Sequence, residues 1–150
     1  MLITRTFHFD SAHQLTDYHG KCERMHGHTY VLEITVEGPV LKNGMVVDFA
    51  LFKNVVKKQV LDAVDHRNLN DIFKNPTAEN IALFIWRKLD PIAPLLKKMS
   101  RDVDYLNDIQ FYYSDKKKVR PNQTDFSKIK LREVKLFEGQ GTCVVYHGKG

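Results

Sequence analysis

Of the seven histidines in the chain, three stand in an arrangement that a scatter of surface residues seldom produces. His13 ends one stretch of alternating polar and apolar residues, and His26-Gly27-His28 opens another. Side chains two apart on a strand point to the same face. His26 and His28 share the parity of Tyr30, Leu32, Ile34 and Val36, which assigns both imidazoles to the apolar side. An unpartnered polar ring there costs roughly 1–3 kcal/mol, so the rings need partners. Three neutral imidazoles converging from adjacent strands make a borderline-soft donor set suited to zinc, and three protein ligands leave a fourth position open to substrate or water. Any one of these histidines alone reads as a hydrogen-bonded residue beside the core. The HxH pair with a third histidine at a strand end reads as a metal site. Cys22, four residues before His26, leaves two outcomes open. As a fourth ligand it closes the site and makes it structural; beside the metal but unbound, its thiolate is a base or a nucleophile.

Asp65-His66 is a second candidate. A carboxylate that orients an imidazole makes a competent proton donor or acceptor near neutral pH, whereas the same pair in isolation reads as a helix-end charge and a solvated ring. Glu138 ends a strand before a glycine-rich turn, and pattern alone makes it a solvated hairpin carboxylate. Cys143 reads as an inert strand residue, and both cysteines are expected as thiols, because a chain of this size needs no staple.

The elements that must position these groups follow from periodicity. Leu2 to Phe9 places Ile3, Phe7 and Phe9 on one side and Thr4, Thr6 and His8 on the other, interrupted only by Arg5; this predicts a strand. From His28 to Glu37 the alternation is cleaner and predicts a second strand with one wet face. Turn signals at Gly38-Pro39 and Lys42-Asn43-Gly44 precede Met45 to Val47, so an antiparallel meander is expected. Asp48 is a plausible N-cap for a helix of about four turns, with Phe49, Phe52, Val56, Val60 and Ala63 on its buried stripe. A polar loop carries Asp65 to Asn70. Pro76-Thr77 then opens a second helix, with Ile81, Phe84, Ile85 and Leu89 on one face, which Asp90-Pro91 stops. Residues 109–113 and 129–137 have strand composition, and Gly139-Gln140-Gly141 links the latter to a last strand over Thr142 to His147. The order predicts an α+β fold, an antiparallel sheet with helices on one side.

Composition narrows the function classes. The 150 residues make one domain, 1–150, by the usual prior, and 43% apolar with 27% charged residues is a globular balance. The longest apolar runs, such as Ile81 to Trp86, fall far short of the roughly 20 residues that span a bilayer. No continuous hydrophobic region lies within Met1 to Ala12, so a cytoplasmic location and no membrane partner are expected. The net charge is +5, yet Lys97 to Lys135 holds 11 basic and 6 acidic residues, leaving 12 and 12 elsewhere. With the excess confined to one segment, a basic stripe over the fold is absent, and no nucleic-acid partner is expected.

Four segments together resemble a known family. Phe7-His8-Phe9-Asp10-Ser11-Ala12-His13, Cys22-Glu23-Arg24-Met25-His26-Gly27-His28-Thr29-Tyr30, Asp65-His66-Arg67-Asn68-Leu69-Asn70 and Pro76-Thr77-Ala78-Glu79-Asn80 stand in the order and spacing of the 6-pyruvoyl-tetrahydropterin synthase and 6-carboxy-tetrahydropterin synthase family. The resemblance spans Met1 to about Pro94 and resumes from about Val134 to Gly148. It implies the T-fold, a four-stranded antiparallel sheet with two helices on one face, assembled through sheet edges into a homohexamer of two trimers. It implies that His13, His26 and His28 hold zinc, that Cys22 is a proton-transfer thiol, and that Asp65 and His66 complete a relay with it. Glu138, eight residues before Tyr146, takes the role of the glutamate that grips the pterin through a two-pronged contact; Glu133 fits less well. Gly139 stands where the family commonly has Thr, so a hydroxyl contact is missing or comes from Thr142.

The substrate so implied is 7,8-dihydroneopterin triphosphate. Three residues between Cys22 and His26 resemble the branch that forms 6-carboxy-5,6,7,8-tetrahydropterin with release of triphosphate and acetaldehyde, a step toward queuosine-type bases, whereas the pyruvoyl-forming branch usually has five. A pyruvoyl-forming synthase is the alternative, and a non-catalytic module with a closed structural zinc site is the alternative of another class. A basic insertion at about 98–133 departs from the compact bacterial members. Its Lys116, Lys117, Lys118 and Arg120 either hold the triphosphate or belong to a solvated hairpin, the reading that charge runs favour.

Overall fold

The computed structural model of the chain describes residues 1–16, 18–110 and 125–149. The two alternating segments form the long strands β1 (Leu2–His13) and β2 (His26–Glu37), paired antiparallel from Leu2 opposite Glu37 to His13 opposite His26. Strand β1 extends beyond the alternating run Leu2 to Phe9 and carries His13 as its last residue, the strand end at which the sequence places it. Arg5, the residue that broke the alternation, lies on the inner side: its Nη1 donates to the Phe49 carbonyl at 2.8 Å and its guanidinium sits over the Phe7 ring.

Asp48 caps the first helix by accepting from the Leu51 N–H at 2.8 Å. That helix is α1 (Phe49–Val56), a π-helical turn (Lys57–Leu61) and α2 (Asp62–Val64) in unbroken succession. Phe52, Val56, Val60 and Val64, each four residues apart, are all fully buried. Four residues overshoot a turn of a regular α-helix by about 40°, and the wider π turn absorbs the drift. Phe49 was expected on this stripe and is 61% exposed. As the first helical residue it precedes the turn that meets the sheet, and only its carbonyl is used.

A short strand β3 (Arg67–Asn68) follows and pairs parallel with β1. Helix α3 (Ala78–Leu89) is capped by Thr77, whose hydroxyl accepts from the Asn80 N–H, and buries Ile81, Ile85 and Leu89 as expected. Pro91 ends it but also starts α4 (Ile92–Met99), and α5 (Val103–Gln110) comes after. Strands β4 (Lys130–Glu138) and β5 (Cys143–Tyr146) close the chain as a hairpin whose Gly139 and Gly141 sit at φ 78° and 95°, values that favour glycine. The sheet order is β3-β1-β2-β4-β5, antiparallel apart from the β1–β3 edge, with the helices packed on the side to which Phe9, Tyr30, Leu32, Ile34 and Leu136 point.

Two further expectations are corrected. Met45 to Val47 is not a third meander strand. Both edges of β2 are taken, by β1 and by β4, so no edge remains for it. Instead Leu41 N–H donates to Met45 O and Gly44 N–H to Leu41 O, each at 2.9 Å, and Val46 and Val47 are buried as irregular chain. The strand expected over 109–113 begins as the end of α5, because Tyr105, Leu106 and Ile109 recur at helical spacing and pack on the core. Within the basic segment residues 103–110 are helix. The rest of that strand, and the solvated hairpin expected about Lys116, Lys117, Lys118 and Arg120, lie outside the described residues. Among the described residues no helix is long and apolar enough to cross a membrane.

Candidate active site

Strand register brings the three histidines together. His13 lies directly opposite His26, and Ser11 opposite His28, so all three imidazoles leave the same face at the end of the β1–β2 ladder. Their ring centroids are 4.6 to 5.2 Å apart. One nitrogen from each ring falls within 4.8 Å of the others, the only such group of potential metal donors among the described residues. His13 is 1% exposed, and the other two are half-buried.

The outer nitrogens decide what the inner ones can do. His13 Nδ1 lies 2.8 Å from the Pro76 carbonyl oxygen, and His26 Nδ1 lies 2.7 Å from that of Arg24. A carbonyl only accepts, so each Nδ1 carries the proton and each Nε2 is left as a lone pair. Those two Nε2 atoms face each other at 3.2 Å. Two lone pairs at that distance repel, and a cation between them removes the repulsion. Carbonyl-fixed tautomers of this kind are how histidine ligands are held in metal sites. Burial, with His13 and His26 adding to it and Glu138 opposing, holds the His28 imidazole below its ordinary pKa and so favours the neutral, ligating form. The donor set fits a zinc ion.

Glu138 enters from the other side of β2. It pairs with Tyr30 across the β2–β4 ladder, and its Oε1 lies 3.3 Å from His13 Nε2. Tyr30 was read as a core residue by parity, and it is fully buried, stacked on Phe9 with ring centroids 4.8 Å apart. Its hydroxyl, which the parity argument passed over, donates to Glu138 Oε1 at 3.2 Å. Burial foremost, then the Glu138 carboxylate, pushes the phenol far above its ordinary pKa, so it remains a donor. Any buried Tyr needs a partner for its O–H, and that was the signal available in the sequence. Glu138 also lines a cavity of about 290 Å³ together with Thr77, Thr142 and Cys143.

Asp65 and His66 form a pair, His66 Nδ1 donating to Asp65 Oδ1 at 2.8 Å. His66 holds φ at +55°, a left-handed conformation rare for a residue with a side chain. Its N–H donates to the Asp10 carbonyl at 2.7 Å, and Asp65 Oδ1 accepts from the Asp10 N–H at 3.1 Å, so the main chain of β1 fixes both residues. His66 and His28 line one cavity of about 560 Å³, with Asp10 and Thr29 on its wall. Cys22 sits half-buried on a 3₁₀ turn (Lys21–Glu23), its carbonyl accepting from the Leu15 N–H at 2.9 Å. It is not part of the donor group formed by the histidines. Cys143 is exposed and unpaired with Cys22; both are free thiols.

Known proteins share this architecture. The 6-carboxy-5,6,7,8-tetrahydropterin synthase of Haemophilus influenzae is 44% identical over 73 residues, 46% of this chain and 52% of that protein, so the chain spans about half the length of that relative. The 6-pyruvoyl tetrahydrobiopterin synthase of Dictyostelium discoideum is 34% identical over 165 aligned positions, 99% of this chain and 97% of that one. The 6-pyruvoyl tetrahydropterin synthase of Caenorhabditis elegans superposes with a TM-score of 0.68 at 28% identity, covering 99% of this chain and 96% of that one. The family model described as 6-pyruvoyl tetrahydropterin synthase matches residues 2–120, and the chain belongs to that family of pterin-processing lyases.

Proposed function

We propose that the chain is a zinc-dependent lyase that converts 7,8-dihydroneopterin triphosphate and water to 6-carboxy-5,6,7,8-tetrahydropterin, triphosphate and acetaldehyde. The observation that carries the lyase reading is the facing pair of His13 and His26 Nε2 lone pairs at 3.2 Å, with both outer nitrogens committed to carbonyls. When bound at this set, zinc supplies Lewis acidity toward the side-chain oxygens of the substrate and so acidifies the neighbouring C–H bonds. Cys22 takes the role of the thiolate that accepts the proton. Asp65 holds the proton on His66 Nδ1, which leaves His66 Nε2 to exchange protons within the cavity it shares with His28. Glu138 accepts from the ring N–H and the amino group of the pterin. Thr142 lines the separate cavity of about 290 Å³ that Glu138 also lines, which supports its reading as the source of the hydroxyl that Gly139 lacks.

Three residues between Cys22 and His26 support the carboxy-forming product. Incubating the purified chain with the triphosphate substrate and assaying acetaldehyde tests it, and a pyruvoyl product without acetaldehyde overturns it. A pyruvoyl-forming synthase is the second reading, favoured by the near full-length match to the Dictyostelium protein. Cys22 standing outside the histidine donor group supports an open site over a closed structural one. A homohexamer belongs to the proposal, and light scattering coupled to size exclusion checks it; a stable active monomer contradicts it.

A further inference from the structure

The end of β1 is joined to residues 64–76 by a continuous series of bonds. Ser11 Oγ donates to the Val64 carbonyl, and Ser11 and Ala12 pair with Arg67 and Asn68 in the parallel ladder. The β1–β3 ladder stops at Ala12, and the β1–β2 ladder stops at His13. Gln14 therefore lies beyond the last backbone rung on either side. There the Asn70 side chain takes over: its Oδ1 accepts from the Gln14 N–H at 2.9 Å and its Nδ2 donates to the Gln14 carbonyl at 2.8 Å. A primary amide presents one acceptor and one donor side by side, which is what a neighbouring strand would present.

We propose that Asn70 is a positioning residue for the metal-site histidine His13. The Gln14 N–H belongs to the peptide unit attached to the His13 Cα, so the bond to Asn70 Oδ1 fixes that peptide plane. Pro76 fixes the ring from the opposite end through His13 Nδ1. The same chain segment thus holds His13 by backbone and by ring. Asn70 itself is held by its own N–H on Asn68 Oδ1 at 3.1 Å and by Leu69, which is fully buried beside it. Since residues 65–70 also carry Asp65 and His66, Asn70 sets the His13 imidazole relative to the proton-transfer pair. Both bonds to Gln14 come from the one Asn70 side chain, so a single substitution removes both without altering the backbone.

The inference rests on the metal reading above, and the test separates the two. Metal-free wild type, Asn70→Ala, Asn70→Asp and Thr4→Val are titrated with zinc against a competing chelator and with Co²⁺ while its visible bands are recorded. Asn70→Ala is expected to weaken zinc about ten- to a hundred-fold, the range for partners that orient a ligand, and to shift the Co²⁺ bands. Asn70→Asp keeps an acceptor for the Gln14 N–H but loses the donor to its carbonyl, and is expected in between. Thr4→Val removes the 2.8 Å Thr4–Thr35 hydroxyl bond at the far end of the same strand pair, and is expected to lower the melting temperature without changing zinc affinity or the Co²⁺ spectrum. Wild-type affinity and spectrum in Asn70→Ala, whatever its melting temperature, overturn the inference; if that variant does not fold, wild-type behaviour of Asn70→Asp does so. A wild-type chain that binds no zinc overturns the metal reading together with the inference.

Discussion

His13, His26 and His28 take their places from strand register, whereas Asp65 and His66 take theirs from bonds that reach 55 residues across the chain to Asp10. The first group needs only that two strands align; each ring is then delivered to one face by a period of two. The second needs a left-handed backbone at His66, a carboxylate that serves a ring and an N–H at once, and a two-residue parallel strand to hold the loop. A cluster built on register tolerates its surroundings and depends on its donors. A pair built on cross-chain bonds keeps its geometry only while each bond is in place.

The largest effect expected of any single change is on the register-built side. His28→Ala removes one of three donors, and both zinc in the purified protein and turnover should fall to background. Zinc retained at wild-type stoichiometry would mean that the three histidines do not act as a set. Cys22→Ala comes next. If the thiol transfers protons, turnover drops about 10²- to 10⁴-fold while zinc content and melting temperature stay at wild-type values. Loss of zinc together with a lower melting temperature would instead make Cys22 a ligand.

His66→Gly separates strain from function on the loop side. A side chain in the left-handed region costs roughly 1–2 kcal/mol, and glycine's extra freedom in the unfolded chain returns about 0.5–1 kcal/mol of that. Chemical denaturation should therefore show stability unchanged or raised by about 1 kcal/mol, with turnover down about 10²-fold. A clear loss of stability would show that the ring's bond to Asp65 outweighs the backbone strain. The smallest effect belongs to Tyr30→Phe, which removes the 3.2 Å bond to Glu138 and leaves the ring stack with Phe9. One hydrogen bond of about 1 kcal/mol corresponds to roughly a fivefold rise in KM with kcat little changed. Equal falls in kcat and kcat/KM would place Tyr30 in the chemical step instead of in pterin binding.

What sequence conveyed about the molecule follows the same division. The parity of His26 and His28 with Tyr30 and Leu32 was readable because a strand repeats every two residues, and the cap at Asp48 was readable because its partner lies three residues on. Pro76 as the acceptor for His13 was not, since 63 residues separate them and nothing in a local pattern marks a carbonyl for such use. Asn70 reads as a polar loop residue until Gln14 is placed beside it. Periodicity also overreached. It put Phe49 on a buried stripe that begins only with Phe52, and it read strand at Met45 to Val47 and at residues 109–110, where short apolar runs fit a strand as well as they fit irregular chain or helix.

The π-helical turn at Lys57–Leu61 acts as a phase adjuster for what comes after it. The helix delivers the Val64 carbonyl to Ser11 and the Asp65 carboxylate to the Asp10 N–H, so its angular setting at the last turn determines whether the loop can dock on β1. Removing one residue from the wide turn would leave a regular helix with better internal bonding, but would rotate everything beyond it by about 100° relative to the part before. Phe52 and Val56 would still face the sheet while Asp65 would face away from Asp10. In this fold a less regular helix is the condition for a correctly aimed carboxylate, and straightening it would exchange the docking of Asp65 on Asp10 for helical order.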